Sequence, residues 1–407
     1  MSNVIPEGWS NKTLSDLAIL QYGKSPKEVM CDNGEYPVIG TGGITGYASN
    51  YLHEGNTTVI GRKGTINSPS FITEKFWAID TTYIATDYKE ADPKWFYYSL
   101  NNIDLKKYNE ASGVPSLNRD TLYSIQIKRP PLPEQQKIAA ILSSVDEVIE
   151  KTQAQIEKLK DLKIGMMQEL LSPRESKAGD QTSAQASKTN GLHHTEFKDS
   201  PLGRIPAGWE VVSVGTVADV IDPQPDHRTP PEVEGGIPYI GLGDINKSGL
   251  INFSSARKVS LDAFNKQLNS FEIHPKAFIF GKIGTIGNPS ILPERRFYCL
   301  SANIILITTS NLEMMEYLYQ VFTSGVINQQ VAMQTNTTSQ PALGIKKVRD
   351  FLIPIPSDIN EQKIIVNTLS SIDKKIVLIN EKLMSLNDTK KALMQDLLTG
   401  KVRVSVN

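Results

Sequence analysis

The most constraining feature of this sequence is that it repeats itself with a period of about half its 407 residues. The segment 134–172 aligns without a gap on 361–399, an offset of 227 residues, with 15 identities in 39 positions. An Ile-Pro-x-Gly-Trp motif that begins at Ile5 returns at Ile205, so the order of the matches is preserved as well. An internal repeat of this size predicts two like structural units in tandem.

Each unit consists of a globular part and a helical part. In the globular parts, short runs rich in Val, Ile, Thr, Tyr and Phe alternate with Gly, Pro and Asn, which predicts strands separated by turns. The predicted strands include 57–60, 76–85, 277–280 and 302–308, and the predicted helices include 93–100 and 312–321. The sequence therefore predicts mixed α/β (α+β) domains with β cores.

These patterns divide the chain into six segments. The stretch between the two units is polar and rich in Ser, Ala, Lys and Thr, which is typical of a linker. The segments are a first globular domain at 1–131, a long helix at 132–172, the linker at 173–200, a second globular domain at 201–356, a second long helix at 357–400 and a tail at 401–407.

Both helical parts carry apolar residues at alternating steps of four and three. A 3.5-residue repeat is the signature of a coiled coil, because it keeps one stripe of side chains against a partner helix. Pseudo-two-fold symmetry between the repeats predicts an antiparallel two-helix coiled coil that separates the globular domains. The alternative is an ordinary amphipathic helix that serves as a core element or a dimer contact. The predicted seam residues are Ile138, Leu142, Val145, Ile149, Ile156, Leu159, Met166, Leu170, Ile365, Leu369, Ile372, Ile376, Ile379, Leu383, Leu386, Leu393 and Leu397.

One seam position in each helix is a lysine, Lys163 in the first and Lys390 in the second. The simpler interpretation, which the sequence favours, is that each ammonium group extends past the apolar stripe into solvent. The alternative is that these polar residues fix the register and orientation of the two helices.

Motifs of catalysis are missing from the sequence. It contains no Walker GxxxxGK[ST], no GxGxxG, no GxSxG and no Asn-Pro-Pro-aromatic or Asp-Pro-Pro-aromatic tetrapeptide. The five histidines lack metal-ligand spacing and the two cysteines lie far apart, so we expect no metal and no cofactor on this chain. No run approaches the roughly 20 apolar residues of a membrane span, and the N-terminal residues lack a signal-peptide core, so we expect a cytoplasmic protein without membrane contact.

Two glycine-rich turns are the best candidates for contact with a ligand. Gly-Arg-Lys-Gly-Thr-Ile at 61–66 returns as Gly-Lys-Ile-Gly-Thr-Ile at 281–286. Glycines let backbone N–H groups approach a phosphate closely, and Lys, Arg and Thr side chains add further donors. The alternative is a tight hairpin turn in which the glycines only satisfy backbone geometry.

The balance of charges limits how such a ligand is bound. The net charge is −1, with 13 basic and 14 acidic residues in 1–131 and 13 of each in 201–356. Neither domain is basic overall, so any nucleic-acid surface is a local arrangement of Lys and Arg.

Together these motifs resemble the DNA-specificity subunit of Type I restriction-modification systems. The resemblance lies in Ile-Pro-x-Gly-Trp at the start of each unit, in Glu-Gln followed by Leu-Ser-Ser-(Val/Ile)-Asp in each long helix, and in Met-Gln-(Glu/Asp)-Leu-Leu near its end. These motifs stand at 5–9, 131–146 and 167–171, and again at 205–209, 354–373 and 394–398.

This resemblance implies a non-catalytic chain whose two target-recognition domains each read one half of a bipartite double-stranded DNA target. The antiparallel helices are expected to set the gap between the halves. Modification (methyltransferase) subunits, two by expectation, are expected to dock on the chain and to bind S-adenosylmethionine, and restriction (motor nuclease) subunits to bind ATP and magnesium. We expect the isolated chain, which is near neutral, to bind DNA weakly until docked methyltransferase subunits clamp the duplex.

Within this framework, the loops 40–46 and 241–249 and the two glycine turns are the candidate DNA contacts. The candidate side chains are Lys24, Thr41, Arg62, Lys63, Thr65, Arg228, Lys282 and Thr285. Two other functions stay open. One is a protein-binding scaffold with two adaptor domains on a helical spacer, and the other is a fused enzyme, which the missing motifs disfavour.

Overall fold

The computed structural model describes residues 5–171, 194–224, 228–246, 251–294, 296–335 and 342–405. It divides into two compact units, and each unit combines one globular domain with parts of both long helices. Unit 1 contains the described residues of 1–155 and 379–407, and unit 2 contains those of 156–378.

The globular part of unit 1 is built from short strands that a few short helices connect. The helices are α1 (Leu14–Leu17), α2 (Pro93–Asn101) and α3 (Arg119–Tyr123), followed by the long helix α4 (Leu132–Leu171). The strands are β1 (Ser10–Thr13), β2 (Ile19–Tyr22), β3 (Tyr36–Gly40), β4 (Gly43–Ala48), β5 (Thr57–Gly61), β6 (Ser70–Ile72), β7 (Trp77–Ala78), β8 (Thr82–Thr86) and β9 (Gln126–Arg129).

Unit 2 begins with a short additional hairpin, after which its strands follow in a corresponding order and the helix Leu261–Leu268 is inserted among them. Its strands are β10 (Phe197–Lys198), β11 (Ile205–Pro206), β12 (Trp209–Ser213), β13 (Asp219–Ile221), β14 (Ile237–Ile240), β15 (Lys258–Val259), β16 (Phe278–Gly281), β17 (Gly287–Ile291), β18 (Cys299–Leu300), β19 (Ile304–Thr308) and β20 (Leu352–Pro356). Its helices are α5 (Leu261–Leu268), α6 (Leu312–Phe322), α7 (Gly325–Thr335), α8 (Ile345–Arg349) and the long α9 (Ile359–Leu397).

The two units share one sheet topology. Each has a four-stranded antiparallel sheet, in the order β2-β8-β5-β6 in unit 1 and β13-β19-β16-β17 in unit 2. Each also has a three-stranded sheet with one parallel pair, β4-β3-β7 or β15-β14-β18, and a two-stranded sheet that joins the start of the domain to its last strand. The prediction of two like α/β domains with β cores is therefore confirmed.

The central strands form the core because all their residues are apolar, small or threonine. Every residue of β5, β8, β16 and β19 is buried, as expected for strands that are covered on both faces. The prediction of one continuous strand over 76–85 is wrong. The chain turns between β7 and β8, where both the N–H and the Oγ1 of Thr82 donate to the carbonyl of Ile79.

In each unit, the start of one long helix lies beside the end of the other. In unit 1, Leu397 of α9 shares a hydrophobic core with Ile138 and Leu142 of α4. In unit 2, Leu170 of α4 shares a core with Ile365 and Leu369 of α9. The helix segments within each unit are therefore antiparallel. Most predicted seam residues are buried, and the partly buried ones are Val145, Met166, Ile376, Leu383, Leu386 and Leu393.

The two seam lysines form ion pairs across the helices. In unit 2, Lys163 Nζ lies 2.7 Å from Asp373 Oδ1, and in unit 1, Lys390 Nζ lies 2.6 Å from Asp146 Oδ1. The interpretation in which both ammonium groups extend into solvent is therefore wrong. The apolar stripe draws the lysine stems into the seam, where the opposing helix supplies a carboxylate.

The segment that the sequence assigns to a linker is partly folded. Residues 173–193 of it lie outside the described residues, but β10 pairs antiparallel with β11, so 197–206 forms a hairpin on unit 2. Within the described ranges, no helix is both long and apolar enough to cross a lipid bilayer. In the same residues, no group of His, Cys, Asp and Glu side chains is arranged to hold a metal ion.

Candidate nucleic-acid interface

The two glycine turns follow directly on the central strands β5 and β16 and have the same backbone geometry. Gly64 has φ +90° and Gly284 has φ +84°, which is the left-handed region that side chains disfavour. A Cβ on Gly61 would come within 2.1 Å of the Thr65 carbonyl oxygen, so the turn folds back on itself too closely for any other residue. The backbone of the turn thus explains why the glycines are repeated.

A second segment of each domain holds its turn in place. In unit 1, Gly64 N–H donates to the Pro115 carbonyl, and Leu117 N–H donates to the Arg62 carbonyl. In unit 2, Leu343 N–H donates to the Lys282 carbonyl in the same way. This pairing leaves the tips exposed, with Lys63 and Thr65 in unit 1 and Ile283 and Thr285 in unit 2 open to solvent.

In unit 1 the turn lies beside several other candidate residues. The Thr41 hydroxyl is 3.5 Å from where a Cβ on Gly64 would stand, so the loop after β3 runs alongside the turn. Lys24 N–H donates to the Ala78 carbonyl, and Arg62 N–H donates to the Thr81 carbonyl. Both candidate residues therefore lie beside the segment 78–82. A cavity of about 380 Å³ opens next to the turn and is lined by residues 64–68 with Lys106, Asn109 and Pro115.

Beside this turn, two arginines contact one tyrosine ring. The guanidinium carbon of Arg62 is 5.2 Å from the centroid of Tyr22, and that of Arg119 is 5.0 Å from it. Both distances fit cation–π attraction, and Tyr22 remains 47% exposed. Among the described residues, neither guanidinium forms an ion pair with a carboxylate, so both positive charges stay available. We call Tyr22, Arg62 and Arg119 the Tyr22 patch.

Unit 2 uses the equivalent positions differently. Lys282, which stands where Arg62 stands in unit 1, places its Nζ 2.7 Å from Asp222 Oδ2. Asp222 follows directly on β13, and extending the β13 register by one residue places it opposite Ile305, the position that corresponds to Tyr83 opposite Tyr22 in unit 1. The two side chains are only 11% and 17% exposed. The charge of Lys282 is therefore neutralised inside the domain, against the expectation that it faces a ligand.

The other candidates in unit 2 are more scattered. Arg228 is exposed in the loop between β13 and β14, and Thr285 is exposed at the turn. Of the candidate loop 241–249, residues 247–249 lie outside the described residues, and in the rest Gly241 N–H donates to the Asp244 carboxylate. Tyr22, Arg119 and Asp222 were missed by sequence reasoning. An aromatic or acidic residue at a strand end becomes informative only once its three-dimensional neighbours are known.

The repeated Trp and Glu motifs join each domain to its long helix. In unit 1, Trp9 Nε1 donates to Glu134 Oε2 over 2.9 Å, and Arg403 from the tail donates to both oxygens of the same carboxylate. Burial opposes ionisation of Glu134, but the bonds from Arg403 and Trp9 outweigh it, so the pKa of Glu134 lies below its ordinary value.

Unit 2 repeats this junction with a different third partner. Trp209 Nε1 donates to Glu361 Oε1 over 2.8 Å, and His194 Nε2 lies 2.9 Å from the same oxygen. The neighbouring glutamines Gln135 and Gln362 each donate to a proline carbonyl just before the helix. The conserved spacing between the repeats therefore serves the junction of domain and helix, not the ligand surface.

Comparison with known proteins agrees with this architecture. The family model for the Type I restriction modification DNA specificity domain matches the chain twice, over 6–161 and 206–388. The Type I restriction enzyme MjaVIII specificity subunit of Methanocaldococcus jannaschii is 28% identical over 430 residues, which cover 98% of this chain and 94% of that protein.

Solved structures show the same fold. The S subunit of a Type I restriction-modification system from M. genitalium matches with a TM-score of 0.64 at 17% identity, covering 98% of this chain and 97% of that one. A chain from a study of complex assembly and conformational transition of the type I R-M system matches with a TM-score of 0.51 at 15% identity, covering 98% and 100%. Because the family model matches most of the sequence in two copies, the chain belongs to the DNA-specificity subunits of Type I restriction-modification systems, the non-catalytic recognition components of those systems.

Proposed function

We propose that the two globular domains each read one half of a bipartite duplex target, and that the paired long helices set the gap between the halves. The repeated architecture carries this proposal, because both units have the same sheets and present an exposed glycine turn at the same place. Two like domains with different side chains at equivalent positions are suited to two different half-sites.

The contacts that we propose fall into two classes. Phosphate contacts fix the orientation of a protein on DNA, whereas contacts to base edges select the sequence. In unit 1 the Tyr22 patch supplies positive charge for phosphates, together with Lys24, and the exposed tips Lys63 and Thr65 with Thr41 are suited to groove contacts. In unit 2 the corresponding proposal rests on Arg228 and Thr285. Lys282 is left out because its ammonium group is paired with Asp222.

The long helices are the proposed docking sites for the partner subunits. The two helix segments pair in the same way in both units, so the chain offers two equivalent sites, which suits two methyltransferase subunits. We propose that these subunits bind S-adenosylmethionine and methylate adenine, and that restriction subunits with ATP and magnesium join them in the cytoplasm. A division of labour of this kind accounts for a chain without catalytic motifs.

The experiment is to purify the chain in complex with its methyltransferase subunits and to map the adenines that the complex methylates. We expect one motif with two defined halves and a gap of fixed length. The isolated chain should be retained on the same duplex more weakly than the complex, and its retention should fall as salt rises. A contiguous motif would contradict the bipartite reading. Absence of any DNA-dependent activity, with other proteins captured instead, would favour the scaffold.

A further inference from the structure

We propose that Asp146 and Asp373 are positioning residues that set the length of the gap between the half-sites, because each fixes the register of the paired helices and ties it to the adjacent domain. This inference rests on the proposed function. In this inference two particular carboxylates, and not the helix pair as a whole, determine the length of the gap between the half-sites.

In unit 2, one carboxylate contacts both the opposing helix and the globular domain. Lys163 Nζ on α4 lies 2.7 and 2.8 Å from the two oxygens of Asp373 on α9. Gln320 Nε2 on the domain helix α6 donates to Asp373 Oδ2 over 3.2 Å and to Ser370 Oγ over 3.3 Å. The lysine side chain is 13% exposed and the aspartate 31%, so the pair is partly shielded from water.

Unit 1 repeats the arrangement with the roles of the helices exchanged. Lys390 Nζ on α9 lies 2.6 Å from Asp146 Oδ1 on α4. The Tyr98 hydroxyl on the domain helix α2 donates to Asp146 Oδ2 over 2.7 Å and lies 3.2 Å from Ser143 Oγ. Asp146 corresponds to Asp373 and Lys163 to Lys390 under the 227-residue offset, so one symmetric register satisfies both pairs.

The apolar seam alone does not define that register. A heptad stripe looks nearly the same after a slide of seven residues, or about 10 Å, and apolar contacts are regained after the slide. The same slide would separate both lysines from their carboxylates. Polar pairs at single seam positions are a known means of selecting one register.

The carboxylates also connect the register to the candidate DNA surface. In unit 2, Phe322 of α6 packs edge-on against Phe280 of β16, with ring centroids 5.1 Å apart, and the glycine turn follows β16. In unit 1, Phe96 of α2 packs edge-on against Tyr88, whose hydroxyl accepts from Thr58 N–H of β5. A change of register would therefore displace the turn together with its domain.

The test is the spacer preference of the complex with methyltransferase subunits, measured on duplexes whose gap varies in steps of one base pair around the native length. In the variant K163L/K390L both lysines become apolar, while Asp373 and Asp146 stay about one third exposed and keep their hydrogen bonds from Gln320 and Tyr98, so we expect the fold to persist. We expect the ratio of methylation on the native gap to methylation on neighbouring gaps to fall at least tenfold. An unchanged ratio in a folded variant would overturn the proposal.

A charge exchange gives a second, independent readout. D146K/D373K places two lysines at each site and should broaden the spacer preference or abolish binding. Adding K163D/K390D should restore the native preference, since the Gln320 amide oxygen and the Tyr98 hydroxyl can accept from lysine. Failure of this fourfold variant to recover the preference, when it folds, would contradict the proposal.

The matched control uses ion pairs on the exposed surface of the same helix. Lys151 pairs with Glu147 and Lys160 with Glu157, and all four side chains are at least half exposed. The variant K151L/K160L should keep the native spacer preference. The wild-type complex distinguishes failure of the proposed function from failure of this inference. A contiguous motif methylated by the wild-type complex would refute the proposed function. A bipartite wild-type motif with an unaltered gap preference in K163L/K390L would refute only the role of Asp146 and Asp373.

Discussion

The two domains have the same backbone at the glycine turn but opposite electrostatics beside it. In unit 1, Arg62 lies against the Tyr22 ring and keeps its charge available, whereas in unit 2, Lys282 is buried against Asp222. The neighbouring position is tyrosine in unit 1 and aspartate in unit 2, and this difference accompanies the change from a surface cation to a structural ion pair. The repeated fold thus gives both domains the same turn geometry, whereas the residues that differ beside the turn set its local charge.

The largest expected effect follows from breaking the ion pair of unit 2. Asp222→Ala leaves the ammonium group of Lys282 buried without its partner, which costs about 3 kcal/mol or more of folding free energy. Tyr22→Ala at the equivalent position of unit 1 should cost less, since Tyr22 is half exposed. Chemical denaturation, followed by a spectroscopic probe in each unit, measures the loss of folding free energy in both variants. The double variant D222L/K282M should recover most of the loss, and equal costs in the two units would contradict the comparison.

The next effect concerns binding to DNA. Removing both guanidinium groups in R62A/R119A should weaken retention of the methyltransferase complex on its target by about tenfold or more, and should reduce the slope of log affinity against log salt by about one to two. Affinity measured over a series of salt concentrations checks both values. D222L/K282M serves as the control and should leave the slope unchanged. A matching loss in that control would show that the buried lysine also contacts DNA.

A smaller effect tests the feature that the two units share, which is the backbone geometry of the glycine turn. Gly64→Ala and Gly284→Ala each place a side chain at a positive φ, which costs about 1–2 kcal/mol. Because the two φ angles are nearly the same, we expect the two variants to lose similar stability in their own units. A difference of more than about 1 kcal/mol between them would indicate that the two turns are not equivalent scaffolds.

The smallest effect concerns the junction of domain and helix in unit 1. The depressed pKa of Glu134 means that its contribution to stability is present at neutral pH and is lost as the pH falls through its folded pKa, which lies below the ordinary value of a glutamate. Arg403→Ala should therefore destabilise unit 1 at pH 7, an effect reduced because Arg403 is 45% exposed, and its cost should shrink as the pH falls and Glu134 becomes protonated. Melting temperatures of unit 1, measured for the native chain and for Arg403→Ala from pH 7 downward, test the direction of this change. A cost that grows on acidification would contradict it.

Periodic features were predictable from the sequence, because they depend on local chemistry repeated along the chain. The duplication predicted two like domains, and the heptads predicted that the seam residues lie along one face of each helix. Features that depend on distant neighbours were not predictable. The partner of Lys282 is 60 residues away, and nothing local distinguishes it from the available Arg62. Lys163 and Lys390 were assigned to solvent for the same reason, since their carboxylates are on the other helix.

The division of the predicted strand over 76–85 has a different cause. The run is apolar or β-branched almost throughout, so its composition favours one strand. A turn at 79–82 instead lets β7 pair in parallel with β3 while β8 joins the other sheet. Which sheet a short strand enters is decided by tertiary packing, which overrides local propensity.

We propose that the two domains read the two halves of the target independently. Mapping the adenines methylated by the complex, with the native chain and with K63A/T65A, tests it most directly. We expect this variant to relax one half of the motif and to leave both the other half and the gap unchanged. A change in both halves, or a native motif without a gap, would contradict it.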